Sequence, residues 1–205
     1  MNTCASNMKF LLGLLSAHIL LYVSYQHTSV FWYLYTAAIL VCIAFSITIE
    51  KTDMDKQPFF QSALYGIIGG FALFGIVLLG NFLINVLNLN GLERDIAQIF
   101  KKLGPEMAWH YLVLFIFIIP GEELFWRGFV QKKLMLYFKP AITICLSAIL
   151  YTLPMLYAAN TALLLAGLAG GLIWGALYQW KQSLSLVIIS HLVFDILMIG
   201  IFPLI

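Results

Sequence analysis

Residues 30–49 read VFWYLYTAAILVCIAFSITI, twenty residues in a row without a charge. About 20 apolar residues in a helix are enough to cross the hydrocarbon core of a bilayer. The reading extends from this stretch to the whole chain. Its 205 residues are 62% hydrophobic and only 10% charged, with a mean hydropathy of +0.97. Soluble domains are nearer half apolar and a quarter charged. Too few polar residues exist here to cover a soluble surface. The composition therefore predicts an all-α fold, a polytopic transmembrane helix bundle forming a single membrane domain over residues 1–205. The formal net charge of +2 is small and dispersed, which gives no footprint for nucleic acid.

Working outward, the first span covers about 10–25, FLLGLLSAHILLYVSY. No small-x-small cleavage site follows it, so it reads as a retained span rather than a signal peptide. After the span at 30–49 comes a polar break, EKTDMDKQP (50–58), and then a long apolar run at about 59–89. In NGLERDIAQIFKKLG (90–104), Ile96, Ile99, Phe100 and Leu103 recur at helical spacing between charges. That pattern predicts a short amphipathic helix in the interface, or a plain loop helix. A fourth apolar run at about 107–120 ends at Pro120, where a kink is expected. Three more runs follow at about 141–157, 161–180 and 183–204, for about seven spans in all.

Lys and Arg in short loops set orientation. With the N-terminus inside, the cytoplasmic set is Lys9, Lys51, Lys56, Lys132, Lys133, Lys139 and Lys181, and the outer set is Arg94, Lys101 and Lys102. The count favours a multi-pass protein of the cell membrane with a cytoplasmic N-terminus. Gly167, Gly171 and Gly175 form a small-residue stripe for helix packing. Cys4, Cys42 and Cys145 are widely spaced and read as apolar fillers.

Ionisable residues inside spans are costly and mark function. His18, His27 and His110 lie near span ends and read as interfacial. That leaves GEELFWRG (121–128) and SHLVFDIL (190–197). Glu123 and Arg127 are four apart on a helix and face each other. A pair of this kind neutralises itself where a lone ion would be expensive. Glu122 has no such partner in the segment and is a candidate general base. The alternative is a structural ion pair with a glutamate beside it. His191 and Asp195, again four apart, can orient water, hold a metal or stabilise an oxyanion. Their alternative role is a buried hydrogen bond joining helices.

These residues resemble the CPBP family of intramembrane proteases, which contains the CAAX prenyl endopeptidases and the Abi-like bacteriocin-processing and self-immunity proteins. The family's first motif, Glu-Glu-x-x-x-Arg with a following Gly, is matched by Glu122, Glu123, Arg127 and Gly128. Its third motif, His followed four residues on by Asn or Asp, is matched by His191 and Asp195. The resemblance covers roughly residues 107–200, the protease-like core. One motif departs. Where the family has Phe-x-x-x-His, this chain has Tyr151 and Met155 in AILYTLPMLYA (148–158). A thioether takes no proton near neutral pH and is a poor ligand for zinc.

The resemblance implies an endopeptidase in which Glu122 activates water, Glu123 and Arg127 support it, and His191 with Asp195 stabilises the oxyanion or ligates. A divalent metal such as zinc would fall to His191 and Glu122. The implied cavity opens to the cytoplasmic side. Its substrate would be a peptide or protein at the membrane, prenylated or bacteriocin-like. The contrasting expectation, raised by Met155, is a family scaffold that has given up catalysis for bacteriocin self-immunity or the binding of a membrane partner. A transporter is disfavoured because the two halves show no inverted repeat.

Overall fold

The computed structural model describes residues 3–49, 55 and 57–200. Lys51, Lys56, the side chain of Cys4 and the expected end of the last span at 201–204 lie outside the described residues. Those that are described form helices and no strand. In chain order they are α1 (Thr3–Gln26), α2 (Phe31–Ile49), α3 (Phe59–Val86), α4 (Asn90–Leu103), α5 (Ala108–Leu134), α6 (Pro140–Thr152), α7 (Thr161–Lys181) and α8 (Leu184–Gly200). A 3₁₀ turn, Leu153–Ala158, extends α6.

Among the described residues five helices are long and apolar enough to cross a bilayer, and the bent pair α4–α5 makes a sixth. α8 is equally apolar but shorter, at 17 residues. The seven expected runs thus become seven apolar helices. Their outer surfaces carry exposed Leu11, Leu15, Phe60, Phe71, Leu79 and Phe82. Such a belt is a liability in water and a requirement in lipid.

The fourth run is the first half of a longer helix. The chain does not stop at Pro120. α5 runs through it to Leu134 as one helix, with π-helical stretches at Leu114–Ile118 and Leu124–Gln131 on either side. Widening the helix accommodates the missing proline N–H without breaking the element. The sharp turn lies earlier, at 104–107, where α4 and α5 meet at 102°. His110 secures that corner. Its Nδ1 accepts from the backbone N–H groups of Glu106 (3.0 Å) and Met107 (3.2 Å), and its ring stacks on Trp32 at 4.7 Å. His110, expected as an interfacial residue near a span end, is buried and acts as a structural cap.

The charges separate onto two ends. At one end Asp55 caps α8 through the N–H groups of Leu184 and Ser185 (2.7 and 3.1 Å), Ser62 meets Ser183 at 3.0 Å, and the Tyr137 hydroxyl donates to Asn7 (3.1 Å). Lys9, Lys132, Lys133, Lys139 and Lys181 belong to the helix ends gathered there. At the other end α4 crosses the bundle. The Asp95 carboxylate accepts from Thr161 N–H (2.8 Å) and its carbonyl from Asn160 (2.9 Å), while Trp32 donates to the Gly104 carbonyl (3.3 Å). Arg94, Lys101 and Lys102 lie at this end, on α4.

The glycine stripe does what its spacing implied. Gly167, Gly171 and Gly175 face α6 and its extension, and a Cβ on Gly171 would stand 3.1 Å from the Cα of Ala148. That close approach lets α6 and α7 pack backbone to backbone. Cys42 is buried and Cys145 exposed, both as free thiols.

Candidate active site

α5 presents its acidic pair to the centre of the bundle. Gly121 is what admits it. A Cβ there would overlap Ile39 Cγ2 and Ile43 Cδ1 of α2, so only glycine lets α2 lie this close to α5. The same approach brings Tyr35 of α2 onto Glu122. Its hydroxyl donates to Glu122 Oε1 at 2.6 Å, and that of Tyr151 donates to Oε2 at 3.2 Å. Glu122 therefore has a phenol on each carboxylate oxygen.

Glu123 is fully buried and Arg127 is 2% exposed. Arg127 donates to Glu123 Oε1 at 3.1 Å, the i,i+4 contact that the spacing implied, kept across the π-helical stretch. Its guanidinium also lies over Tyr151 (4.5 Å from the ring centre) and Trp174 (5.4 Å). Two aromatic faces and a carboxylate together make a bearable site for a buried cation. Glu123 Oε2 has no hydrogen-bond partner.

His191 comes from α8, and its tight partner is Glu123 rather than the Asp195 of its own helix. Nδ1 lies 2.7 Å from Glu123 Oε1, whereas Nε2 lies 3.8 Å from Asp195 Oδ1, beyond hydrogen-bond range. The reason is geometric. α8 packs against α5, which points Glu123 straight at the ring, while a side chain four residues along must reach back. Trp174 stacks on the imidazole at 3.9 Å and is itself held by a hydrogen bond to Ser190 (3.2 Å). Nδ1 is thus taken up by Glu123, and Nε2 remains for other chemistry.

Glu122, His191, Asp195, Tyr35, Tyr151 and Met155 all line one cavity of about 470 Å³. It occupies the half of the bundle nearest α4. The apolar residues Ile96, Ile99, Phe100 and Leu103 of α4 form its roof, and Ile76, Val77 and Ile84 of α3 form one wall. The expected interfacial helix is thus a cover, whose apolar face meets the cavity rather than lipid. Arg127 and Glu123 stand behind the wall, out of the cavity.

Met155 sits at the cavity wall, 9% exposed. A Cβ on Gly167 would overlap its sulfur, so glycine at 167 makes the room that the thioether fills. Among the described residues no three His, Cys, Asp or Glu side chains converge as a metal-binding group. Glu122 gives its oxygens to two phenols and His191 gives Nδ1 to Glu123. This donor set does not fit a zinc site, which takes three or four protein ligands. Tyr35 and Trp174 did not stand out as site residues in the sequence, because an aromatic residue in a span reads as packing or as an interfacial anchor.

No curated protein and no solved structure matches the chain. Residues 104–197, a little under half of it, match the family described as type II CAAX prenyl endopeptidase, Rce1-like. That stretch contains every one of Glu122, Glu123, Arg127, Tyr151, Met155, Trp174, His191 and Asp195. Over the part that builds the site, the chain is therefore similar to the Rce1-like CAAX proteases, the same CPBP kinship that its motifs resemble.

Proposed function

We propose that this protein is a membrane-embedded endopeptidase that hydrolyses a peptide bond with water activated by Glu122. The observation that carries the reading is the Glu122 carboxylate at the wall of a cavity of about 470 Å³, beside His191. Water on Glu122 loses a proton to the carboxylate as its oxygen attacks the substrate carbonyl carbon. The carbonyl π electrons move to oxygen. His191, when protonated, gives Nδ1–H to Glu123 and turns Nε2–H toward that oxyanion. The C–N bond then breaks, and the amine takes the proton back from Glu122. Glu123 and Arg127 act from behind, by fixing the imidazole. No step runs through a metal.

The cavity is lined mainly by Leu, Ile, Phe, Ala and Tyr side chains. It suits an extended peptide with apolar side chains or a lipid-modified one, prenylated or bacteriocin-like. Orientation follows from the two ends. The lysine-rich end is cytoplasmic by the positive-inside rule, which keeps the N-terminus inside. The cavity lies at the opposite end, under α4. With the N-terminus inside, the cavity beneath α4 falls in the outer half of the bundle, and we place its access on that side rather than on the cytoplasmic one.

A second reading is favoured by Met155, which puts an apolar thioether at the cavity wall. On that reading the scaffold binds a membrane partner or confers bacteriocin self-immunity without turnover. One experiment separates the two. The parent, Glu122→Gln and Met155→His are purified in detergent, each is given a mixed pool of plain and prenylated peptides, and products are read by mass spectrometry. Cleavage by the parent, lost in Glu122→Gln, supports the protease. Cleavage by Met155→His alone refutes it and leaves the binding role.

A further inference from the structure

The protease reading leaves one question open: what compensates Glu122? A carboxylate at 7% exposure needs hydrogen-bond donors. The nearby cation and imidazole are both committed to Glu123. The hydrogen bonds to Glu122 come from two phenols, Tyr35 at 2.6 Å and Tyr151 at 3.2 Å.

These two are not equivalent. The Tyr35 bond is short and comes from α2. The Tyr151 bond is longer, and so more readily given up. Tyr151 also stands on the histidine's side. Trp174 stacks on His191 at 3.9 Å and meets the Tyr151 ring edge-on at 6.3 Å. One indole thus holds both polar tips at the same part of the cavity wall. The Tyr151 ring cannot swing away, because Arg127 covers one face and Trp126 abuts it edge-on at 5.8 Å.

On this geometry, which rests on the protease reading, we propose that Tyr151 is a catalytic residue and the second donor to the oxyanion. In the resting site its O–H is given to ionised Glu122. When Glu122 takes the proton from water, its oxygens become weak acceptors. At that moment the substrate carbonyl oxygen becomes a strong one. The phenol hydrogen bond passes from Glu122 to the oxyanion, opposite His191 Nε2–H, and no covalent bond to the tyrosine forms or breaks. When the C–N bond breaks and Glu122 returns its proton to the amine, the phenol turns back. The residue is neutral throughout and acts only as a donor that changes partner. In this way a site with methionine at 155 still presents two donors to the transition state.

The test compares parent, Tyr151→Phe and Tyr35→Phe on one cleaved peptide, with kcat and KM measured separately. It adds the affinity for a phosphinate peptide that mimics the tetrahedral intermediate. Loss of one oxyanion donor lowers kcat by about 10²–10³-fold. Tyr151→Phe should lose about that factor in kcat, keep its KM, and lose a similar factor in phosphinate affinity. Tyr35→Phe, in which only a positioning contact to Glu122 is removed, should bind the phosphinate nearly as the parent does. Parent-like kcat in Tyr151→Phe overturns the proposal, as does a rise in KM at unchanged kcat, which would make Tyr151 a substrate contact. If Tyr151→Phe does not fold, fluorotyrosines of graded acidity are placed at position 151. A kcat indifferent to the series overturns the proposal. A parent that cleaves no peptide fails at the earlier step, and the protease reading falls together with the role built on it.

Discussion

Replacing Gly167 with alanine tests the seat of Met155 without any assay of activity. The new Cβ would overlap the Met155 sulfur and lie 2.9 Å from its Cε. Overpacking of this kind costs about 1–3 kcal/mol. Met155 borders the cavity and can swing partly into it, so the lower part of that range applies. Against this, alanine gains about 0.5–1 kcal/mol over glycine inside a helix. In the parent the clash wins narrowly. In a Met155→Ala background the sulfur is gone and only the helical gain remains, so the same substitution should stabilise. The sign reversal is the prediction, with a coupling of about 1–1.5 kcal/mol between the sites, the size of the clash itself. For a chain of this size 1 kcal/mol moves Tm by about 2–4 °C. Thermal melts of the four proteins in one detergent measure it. If Gly167→Ala stabilises in both backgrounds, or if the two substitutions simply add, the sulfur does not occupy that seat and the account of residue 155 fails.

Other outcomes follow from the same geometry. Arg127→Ala leaves fully buried Glu123 without its cation, at a cost of about 3–5 kcal/mol; it should melt far below the parent, and Arg127→Ala/Glu123→Gln should recover much of the loss. Glu122→Gln keeps an acceptor for one phenol, so its Tm should stay near the parent's while cleavage falls by about 10²–10⁴-fold, the usual weight of a general base. Asp95→Ala removes the acceptor for Thr161 N–H and should cost about 0.5–2 kcal/mol; hydrogen exchange should quicken across Asn90–Leu103 while α5 stays protected. Because the donors do not assemble three ligands, cleavage should survive dialysis against a strong chelator, measured as product formed per hour.

What the sequence made legible was whatever depends on near neighbours. Uncharged runs located the spans, since length and apolarity suffice for that. The i,i+4 spacing placed Arg127 on Glu123 because a helix brings those two together whatever surrounds them. The same rule put His191 and Asp195 on one face, where they stand 3.8 Å apart, but it did not give the tighter partner of the imidazole. Spacing permits their contact, but α5 offers Glu123 at shorter range, and no local pattern encodes a neighbour 68 positions away. The periodicity of Ile96, Ile99, Phe100 and Leu103 showed that α4 has an apolar face to hide. It did not show that a cavity would hide it. Pro120 implied a kink, but not the widened turns on either side of it, because local propensity knows nothing of the neighbouring helices that hold them in place. Tyr35 gave no signal, since its role depends on glycine at 121 and on how closely α2 approaches.

The roof and one wall of the cavity come from α3 and α4, and Tyr35 comes from α2, all before the stretch that resembles the proteases. On the protease reading, chemistry and admission are therefore written in separate parts of the chain. The later part holds the groups that move protons. The earlier part would then help to choose which guest meets them, because α3 and α4 line the chamber. Exchanging α3 and α4 for other sequences would give the same reaction a different clientele, and stripping them away would leave working groups bathed in lipid.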